Sequence, residues 1–217
     1  MKNTVIYCWF LPLLCLLSFK GGPEVIKKKV SENGINETYY VLKSDGETKH
    51  GSYLKTGRGD KEEGNYDMGV KSGVWSYKFG NGFFQKYDYT NKTLLIPTFE
   101  GEQRALVEQD GLFVEKAVNY PATHLGGKEA MYSFLVMRVI YPKEAKRKGT
   151  QGELEASFEI TENGEIINET IINGIGDGCD EELLRVLKLL PDTWFPANID
   201  GKPVKSRVIM PFTFKLS

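Results

Sequence analysis

A strictly alternating stretch between residues 153 and 160 constrains the fold of this chain more than any other segment. Apolar residues hold every second position, namely Leu154, Ala156, Phe158 and Ile160, and the positions between them hold Glu153, Glu155, Ser157 and Glu159. A period of two is that of a β-strand with one face on a core and the other in water. The stretch therefore predicts a half-buried antiparallel strand, with its glutamates on a solvated face.

The residues around this strand predict one unit over residues 119–217. Asn163 and Gly164 lie in a four-residue turn and tolerate positive φ, so a second strand is expected to return beside the first. After the segment GIGDG, apolar residues recur at helical spacing, at Leu183, Val186, Leu187 and Leu190. A loop and two more helices are predicted upstream, ending at Gly149. The predicted fold class is α+β, a small antiparallel sheet packed with two or three helices.

A last strand is predicted from about Val204 to Phe214. Pro211 lies within it and has no N–H to donate, which places the strand at a sheet edge or at a bulge. A strand with an unpaired edge can accept an extended peptide through main-chain hydrogen bonds. The alternative is an edge protected by Pro211, by the last residues of the chain, or by a second copy in a homodimer.

The C-terminal unit resembles the C-terminal domain of the TonB family, in the form found in Bacteroidetes-type bacteria. The matching positions include Tyr141, Pro142, Ala145, Gly149, Gly152, Phe158, Gly164, Trp194, Pro196, Gly201, Lys202, Pro203, Val204, Pro211 and Phe214. The resemblance implies that a short extended segment of an outer-membrane transporter docks beside the last strand. The positions to which it assigns partner binding are Arg207, Val208, Ile209, Met210 and Phe212.

Residues 36–92 repeat a glycine-x-aromatic unit, for example Gly64-Asn65-Tyr66 and Gly73-Val74-Trp75. The pattern predicts short antiparallel hairpins with aromatic rings along one face, and it resembles MORN-type repeats. Two interpretations of the rings stay open: they form the core of the repeats, or they bind a peptide, a glycan or lipid headgroups. Residues 93–118 are interpreted as a connector or a final strand pair.

The first 22 residues predict export. Lys2 precedes an apolar run from Val5 to Phe19, which is shorter than the roughly 20 residues that span a bilayer and fits a secretory signal peptide. A short membrane anchor is the second interpretation, and lipid attachment at Cys15 is the third. Cleavage would leave Cys179 as the remaining cysteine, so no internal disulfide is expected.

Side chains for catalysis are sparse. Cys179, at the start of a predicted helix, is the one candidate nucleophile, but neither His50 nor His124 has the spacing of a partner or of a zinc ligand. The GIGDG loop lacks a following Lys-Ser or Lys-Thr and is followed by acidic residues, which disfavours a phosphate site. We therefore expect no enzyme, no cofactor and no metal. A formal net charge of −1 without a basic stripe gives no sign of a nucleic-acid partner.

Two functions are consistent with these observations. The first is an exported TonB-domain protein in the periplasm or cell envelope of a Gram-negative bacterium, which binds partner proteins and contributes to TonB-dependent transport. The second is an envelope scaffold with MORN-like repeats and no role in energy transduction. The sequence departs from energy-transducing members, because its apolar segment is short and hairpins stand where those members carry a proline-rich stalk.

Overall fold

The structure, a computed structural model, describes residues 22–96, 99–191 and 193–216. The predicted export segment therefore lies almost wholly outside the described residues. Within the described ranges the chain folds mainly into antiparallel sheets with three helices, as expected for the α+β class. None of the helices in these ranges has the length and hydropathy needed to cross a bilayer.

The N-terminal half forms a seven-stranded sheet, here called the first sheet, in which each strand pairs with the next along the chain. Its strands are β1 (Val25–Glu32), β2 (Ile35–Leu42), β3 (Lys49–Gly57), β4 (Asp60–Asp67), β5 (Val70–Lys78), β6 (Phe84–Asp88) and β7 (Thr93–Ile96). Two-residue turns with positive φ at both positions, such as Asn33-Gly34, join several of them. The predicted all-β region is confirmed, but the sheet is wider than residues 36–92 because β1 and β7 extend it.

One face of the first sheet carries a continuous row of aromatic rings. Trp75 lies at the middle and is fully buried, with Tyr53 and Tyr66 within 5.4 and 5.0 Å of it between ring centroids. Gly64 lies directly beneath the Trp75 ring, where a Cβ atom would collide with the indole. The glycine-x-aromatic repeat therefore reflects packing: the glycine of one strand makes room for the ring of the next.

The C-terminal half forms a five-stranded sheet, the second sheet, whose order does not follow the chain. Its strands are β8 (Gln103–Gln109), β9 (Leu112–Val118), β11 (Gly152–Ile160), β12 (Ile166–Asn173) and β16 (Ser206–Phe214), in the order β12-β11-β16-β8-β9. Two small ladders accompany it, β10 (Thr123–His124) with β13 (Trp194–Phe195) and β14 (Ala197–Ile199) with β15 (Lys202–Val204).

Three helices cover one face of the second sheet: α1 (Gly127–Val136), α2 (Lys143–Lys148) and α3 (Cys179–Leu187). The predicted alternation in β11 is confirmed, since Leu154, Ala156, Phe158 and Ile160 are all fully buried in the core beneath these helices. The predicted helical stripe is confirmed as well, with Leu183, Val186, Leu187 and Leu190 buried in the same core.

Of the two interpretations of residues 93–118, a connector and a final strand pair, the structure shows strands. Thr93–Ile96 is the last strand of the first sheet, whereas β8 and β9 form a hairpin that belongs to the second sheet. Asp110 and Gly111 make its turn, with φ of 53° and 82°. An Asp-Gly pair between alternating apolar residues is a strong hairpin signal, and it identifies a strand pair that composition does not.

The two halves of the chain are packed together. Gln85 of β6 is fully buried; its side-chain amide donates to the His124 carbonyl at 3.1 Å and accepts from the Gly126 N–H at 2.8 Å. Tyr87 stacks on Phe195 with 4.2 Å between ring centroids. Residues from both halves therefore share one aromatic cluster.

Candidate functional site

The five residues predicted to bind a partner all lie on β16, but they face different surroundings. Met210 and Phe212 are buried in the core under the helices. Arg207 donates to a Glu159 carboxylate oxygen at 2.9 Å, and its guanidinium lies 4.0 Å from the centroid of the Phe113 ring. Val208 is half-buried, and Ile209 keeps 47% of its surface exposed. Only Val208 and Ile209 therefore offer side chains for a docked segment.

The prediction that β16 is an edge strand holds for only part of its length. β11 pairs along the whole of one side of β16, and β8 pairs on the other side at Ser206↔Val107 and Arg207↔Leu106. β16 is therefore the third of five strands, because the β8–β9 hairpin adds two strands beyond it. In the described ranges, no strand pairs with β16 on the β8 side beyond Arg207.

The direction of the backbone groups follows from one hydrogen bond. The Glu108 N–H donates to the Lys205 carbonyl at 3.0 Å, so the carbonyl just before β16 points toward β8. In an extended strand the N–H and C=O of one residue share a side, and alternate residues repeat that direction. The backbone groups of Ile209 and Thr213 therefore point to the side that β8 leaves open. Pro211 is in the same series, where its missing N–H costs no bond to β11.

A groove of about 440 Å³ runs beside this open stretch. Its floor includes Val208, Ile209 and the Pro211 backbone, and its opposite wall is built by Phe83, Phe99, the segment from Pro121 to His124, and the first turns of α1. The Tyr132 hydroxyl on α1 donates to the Pro211 carbonyl at 2.8 Å. The groove is mainly apolar and lies beside the stretch of β16 where no described strand pairs.

Two polar rings line the inner end of the groove. His124 and Trp194 meet edge to face, with 5.3 Å between ring centroids. Burial lowers the pKa of His124, so its imidazole is neutral at pH 7. The Trp194 indole N–H is buried and has no acceptor among the described residues. An unpaired buried donor is costly, and a carbonyl of a docked segment is one group that would satisfy it.

Glu159 corrects the expectation of a wholly solvated outer face on β11. Its carboxylate is buried and receives hydrogen bonds from Lys205, Arg207 and Asn168. Burial raises the pKa of this carboxyl, but the three hydrogen bonds outweigh it and lower the pKa to about 2. The β8–β9 hairpin is responsible, because it brings Phe113 over Arg207. Glu153 on the same face is exposed, as predicted.

The side chains considered for catalysis lie apart. Cys179 is fully buried, and burial together with nearby Asp180 raises its thiol pKa, the opposite of what a nucleophile requires. His124 is in the groove described above, and His50 lies in the first sheet, 3.3 Å from Asp67. Among the described residues, no three His, Cys, Asp or Glu side chains come together as metal ligands.

The aromatic row of the first sheet is mostly covered. Tyr53, Trp75, Tyr77 and Tyr87 are buried. Lys49 lies over three rings, with its Nζ 4.8 to 5.2 Å from the centroids of Tyr39, Tyr53 and Tyr66. Lys71 lies over Trp75, Tyr77 and Tyr89 in the same way. This arrangement favours the interpretation of the rings as a core over that of an open ligand groove.

Residues 137–216 match the family model described as the Gram-negative bacterial TonB protein C-terminal. The match covers less than half of the chain and includes α2, β11, β12, α3 and β16, but not the β8–β9 hairpin. No curated protein and no solved structure matches the chain. The match supports a TonB C-terminal domain at residues 137–216, and domains of this family generally mediate protein–protein interactions.

Proposed function

We propose that this protein is an exported envelope protein, without catalytic activity, that binds an extended segment of a partner protein along residues 208–213 of β16. The observation that carries the proposal is the coincidence of two features at one place. In the described ranges, the backbone groups of Ile209 and Thr213 face a side of β16 where no strand pairs, and the apolar groove lies beside Ile209. A docked strand would form main-chain hydrogen bonds with these backbone groups and place alternate side chains in the groove.

The β8–β9 hairpin limits the length of the docked strand. Because β8 already pairs with Ser206 and Arg207, a partner strand can pair with β16 only from Val208 toward its C-terminal end. N-terminal segments of outer-membrane transporters are the partner class that the family suggests. A second copy of the chain could use the same edge, which would give a homodimer in competition with the transporter segment.

Two substitutions at Ile209 test the backbone pairing. Ile209→Pro removes the outward N–H while leaving the neighbours that pair with β11 intact, and Ile209→Ala is the control that keeps the N–H and loses the side chain. We expect Ile209→Pro to weaken binding of transporter segments to the full chain by about tenfold, because an acceptor on the segment stays unpaired. Fluorescence anisotropy with labelled peptides measures the affinity.

Amide hydrogen exchange tests the free state. The Ile209 and Thr213 amides should exchange quickly in the free protein and become protected when a segment docks. Strong protection of both amides in the monomer, or equal peptide affinity for Ile209→Pro and the unmodified protein, would falsify the docking mechanism.

An envelope scaffold with MORN-like repeats is the second candidate, and the joint between the halves favours it. The buried side chain of Gln85 hydrogen-bonds the backbone of the C-terminal half, and Tyr87 stacks on Phe195, so the first sheet packs directly against that half. A scaffold needs such a rigid joint, whereas a docking domain on a stalk does not. If pull-downs from envelope extracts recover structural proteins equally with Ile209→Pro and unmodified protein, and never a transporter, the scaffold is the better description.

A further inference from the structure

The end of α1 carries an unusual concentration of exposed apolar side chains. Val136, Met137 and Ile140 are 64%, 75% and 70% exposed, and Met137 is the most exposed large apolar residue in the described ranges. Single exposed apolar residues are ordinary, but three within five positions form a patch that calls for an explanation. Side chains with this much exposure project from the surface and do not line a groove.

The loop that presents these side chains is held in place by α3. The Ile140 N–H donates to Glu182 at 2.6 Å, and Arg185 donates to the Arg138 carbonyl at 3.0 Å. The Val139 N–H donates to the Leu135 carbonyl at 2.9 Å. The exposed residues therefore lie on a fixed loop, with the backbone bonded to its neighbours.

The segment that follows the patch is rich in cations, although Glu182 contacts the Ile140 N–H and Asp177 pairs with Lys148. Residues 138–148 contain five cations, Arg138, Lys143, Lys146, Arg147 and Lys148, and one acid, Glu144, for a local net charge of +4 in a chain of formal net charge −1. Arg147 and Lys148 pair with acids. Within the described ranges, Arg138, Lys143 and Lys146 form no ion pair. Lys143 and Lys146 are exposed and follow the patch closely in sequence, whereas the Arg138 guanidinium lies 3.6 Å from the centroid of the Phe134 ring and donates to the Phe134 carbonyl.

We propose that this surface, residues 136–148, binds peripherally to an anionic lipid bilayer. Val136, Met137 and Ile140 enter the boundary between headgroups and acyl chains, while Arg138, Lys143 and Lys146 neutralise lipid phosphates. A protein partner would receive such apolar side chains in a complementary pocket, and would be selected by shape. A bilayer needs only projecting apolar side chains and neighbouring exposed cations, and residues 136–148 contain both.

The lipid surface and the docking groove occupy different parts of α1. The groove contacts the helix from Gly127 to Tyr132, and the patch begins at Val136, four residues or about 6 Å further along the helix axis. The lipid proposal stands on its own observations and survives if no peptide binds at β16.

Vesicle binding of the full chain tests the proposal. Vesicles of phosphatidylglycerol with phosphatidylethanolamine are compared with vesicles of phosphatidylcholine alone in a sedimentation assay. The double variant M137S/I140S should lower affinity for the anionic vesicles by about tenfold through lost apolar burial. The double variant K143Q/K146Q should lower it by about 25-fold, since each cation near the surface contributes about fivefold.

Matched controls come from other surfaces of the molecule. V70S/L112S removes two apolar side chains that are 69% and 68% exposed, and K28Q/K29Q removes two exposed cations of β1. Both should leave vesicle affinity within about twofold of the unmodified protein. Equal losses in the controls and in the patch variants would overturn the proposal.

Hydrogen exchange with bound vesicles supplies a readout that does not depend on how the N-terminal segment anchors the chain. Anionic vesicles should protect amides within residues 136–148 and leave β1 unchanged, and an absence of protection would overturn the proposal. A soluble polyanion, polyglutamate, separates lipid from an acidic protein. If polyglutamate protects residues 136–148 as well as vesicles do and M137S/I140S binds both normally, the surface docks an acidic partner and the lipid proposal is wrong.

Discussion

The two sheets differ in strand order and in what covers their buried faces. In the first sheet every strand pairs with its neighbour along the chain, and large aromatic rings cover one face. In the second sheet the strand order jumps across the chain, and three helices cover small aliphatic side chains and phenylalanines. A single sheet cannot bury a face by itself, so the first sheet must obtain its cover from elsewhere.

That cover comes from two sources. The C-terminal half supplies Tyr120 and Phe195 to the aromatic cluster, and the Tyr120 hydroxyl accepts the Leu94 N–H at 2.8 Å. Lysine side chains lie over the rest of the row. The comparison teaches that the second sheet is complete within its own segment, whereas the first depends on contacts that its own segment does not contain.

The largest expected effects come from removing one buried ring from the core of each sheet. Trp75→Ala and Phe158→Ala each remove a fully buried ring, and each should lower the free energy of unfolding by about 3–5 kcal/mol. Trp75→Ala also leaves the Asn65 carbonyl without its 3.0 Å bond from the indole. Denaturant unfolding followed by circular dichroism measures both values. Phe84→Ala removes an exposed ring of β6 and is the control; it should lower the free energy of unfolding by less than about 1 kcal/mol. A small effect at Trp75 alone would mean that the aromatic row is a surface and not a core.

The next largest loss of stability is expected at Gln85, whose hydrogen bonds connect the two halves of the chain. Gln85→Leu conserves volume but leaves the His124 carbonyl and the Gly126 N–H unpaired in a buried position. We expect a loss of about 2–3 kcal/mol and the separation of one unfolding transition into two, seen by calorimetry. Gln109→Leu, at an exposed glutamine of β8, should change stability by less than about 0.5 kcal/mol. A single unshifted transition in Gln85→Leu would show that the halves are held by their rings alone.

A smaller effect comes from the charge buried in the second sheet. Folding lowers the pKa of Glu159 from 4.5 to about 2, so the ionised carboxylate stabilises the fold above about pH 4.5 and this contribution is lost as the pH falls toward 2. Glu159→Gln should cost about 2 kcal/mol at pH 7 and flatten that acid dependence. Urea unfolding between pH 2 and 7 measures it. Glu153→Gln, exposed on the same strand, should retain the normal pH profile.

Much of this fold follows from local sequence pattern. Alternation fixed the buried face of β11, helical spacing fixed the stripe on α3, and the repeated glycine with an aromatic residue indicated antiparallel hairpins. Each of these signals concerns residues close along the chain, where period and turn chemistry determine the outcome. The helices and strands of the C-terminal unit could therefore be predicted with little error.

The contacts between distant segments could not be predicted in the same way. The Asp110-Gly111 turn reveals a hairpin, but nothing within residues 103–118 states that β8 pairs with Arg207. No feature of the sequence around Gln85 predicts that its side chain hydrogen-bonds the His124 and Gly126 backbone in the other half. Of the five candidate residues, Met210 and Phe212 alternate on the face of β16 that lies in the core, whereas the pairing of Arg207 with Glu159 is a contact between strands that are distant in sequence.

The smallest expected effect concerns the lysine side chains that lie over the aromatic row. We ask whether their aliphatic stems cover the first sheet in the way that helices cover the second. Lys71 lies with its Nζ 4.1 Å from the centroid of Trp75, 2.8 Å from Glu62 and 3.0 Å from the Tyr77 hydroxyl. Burial lowers the pKa of Lys71, so part of the energy of these contacts offsets the cost of desolvating the ammonium. Lys71→Met keeps the stem and removes both the contacts and that cost, so stability should change by less than about 1 kcal/mol. Lys71→Ala uncovers the Trp75 ring and should cost about 1–2 kcal/mol. Urea unfolding of the two variants separates cover from charge: equal losses would mean that the ammonium, and not the stem, stabilises the row.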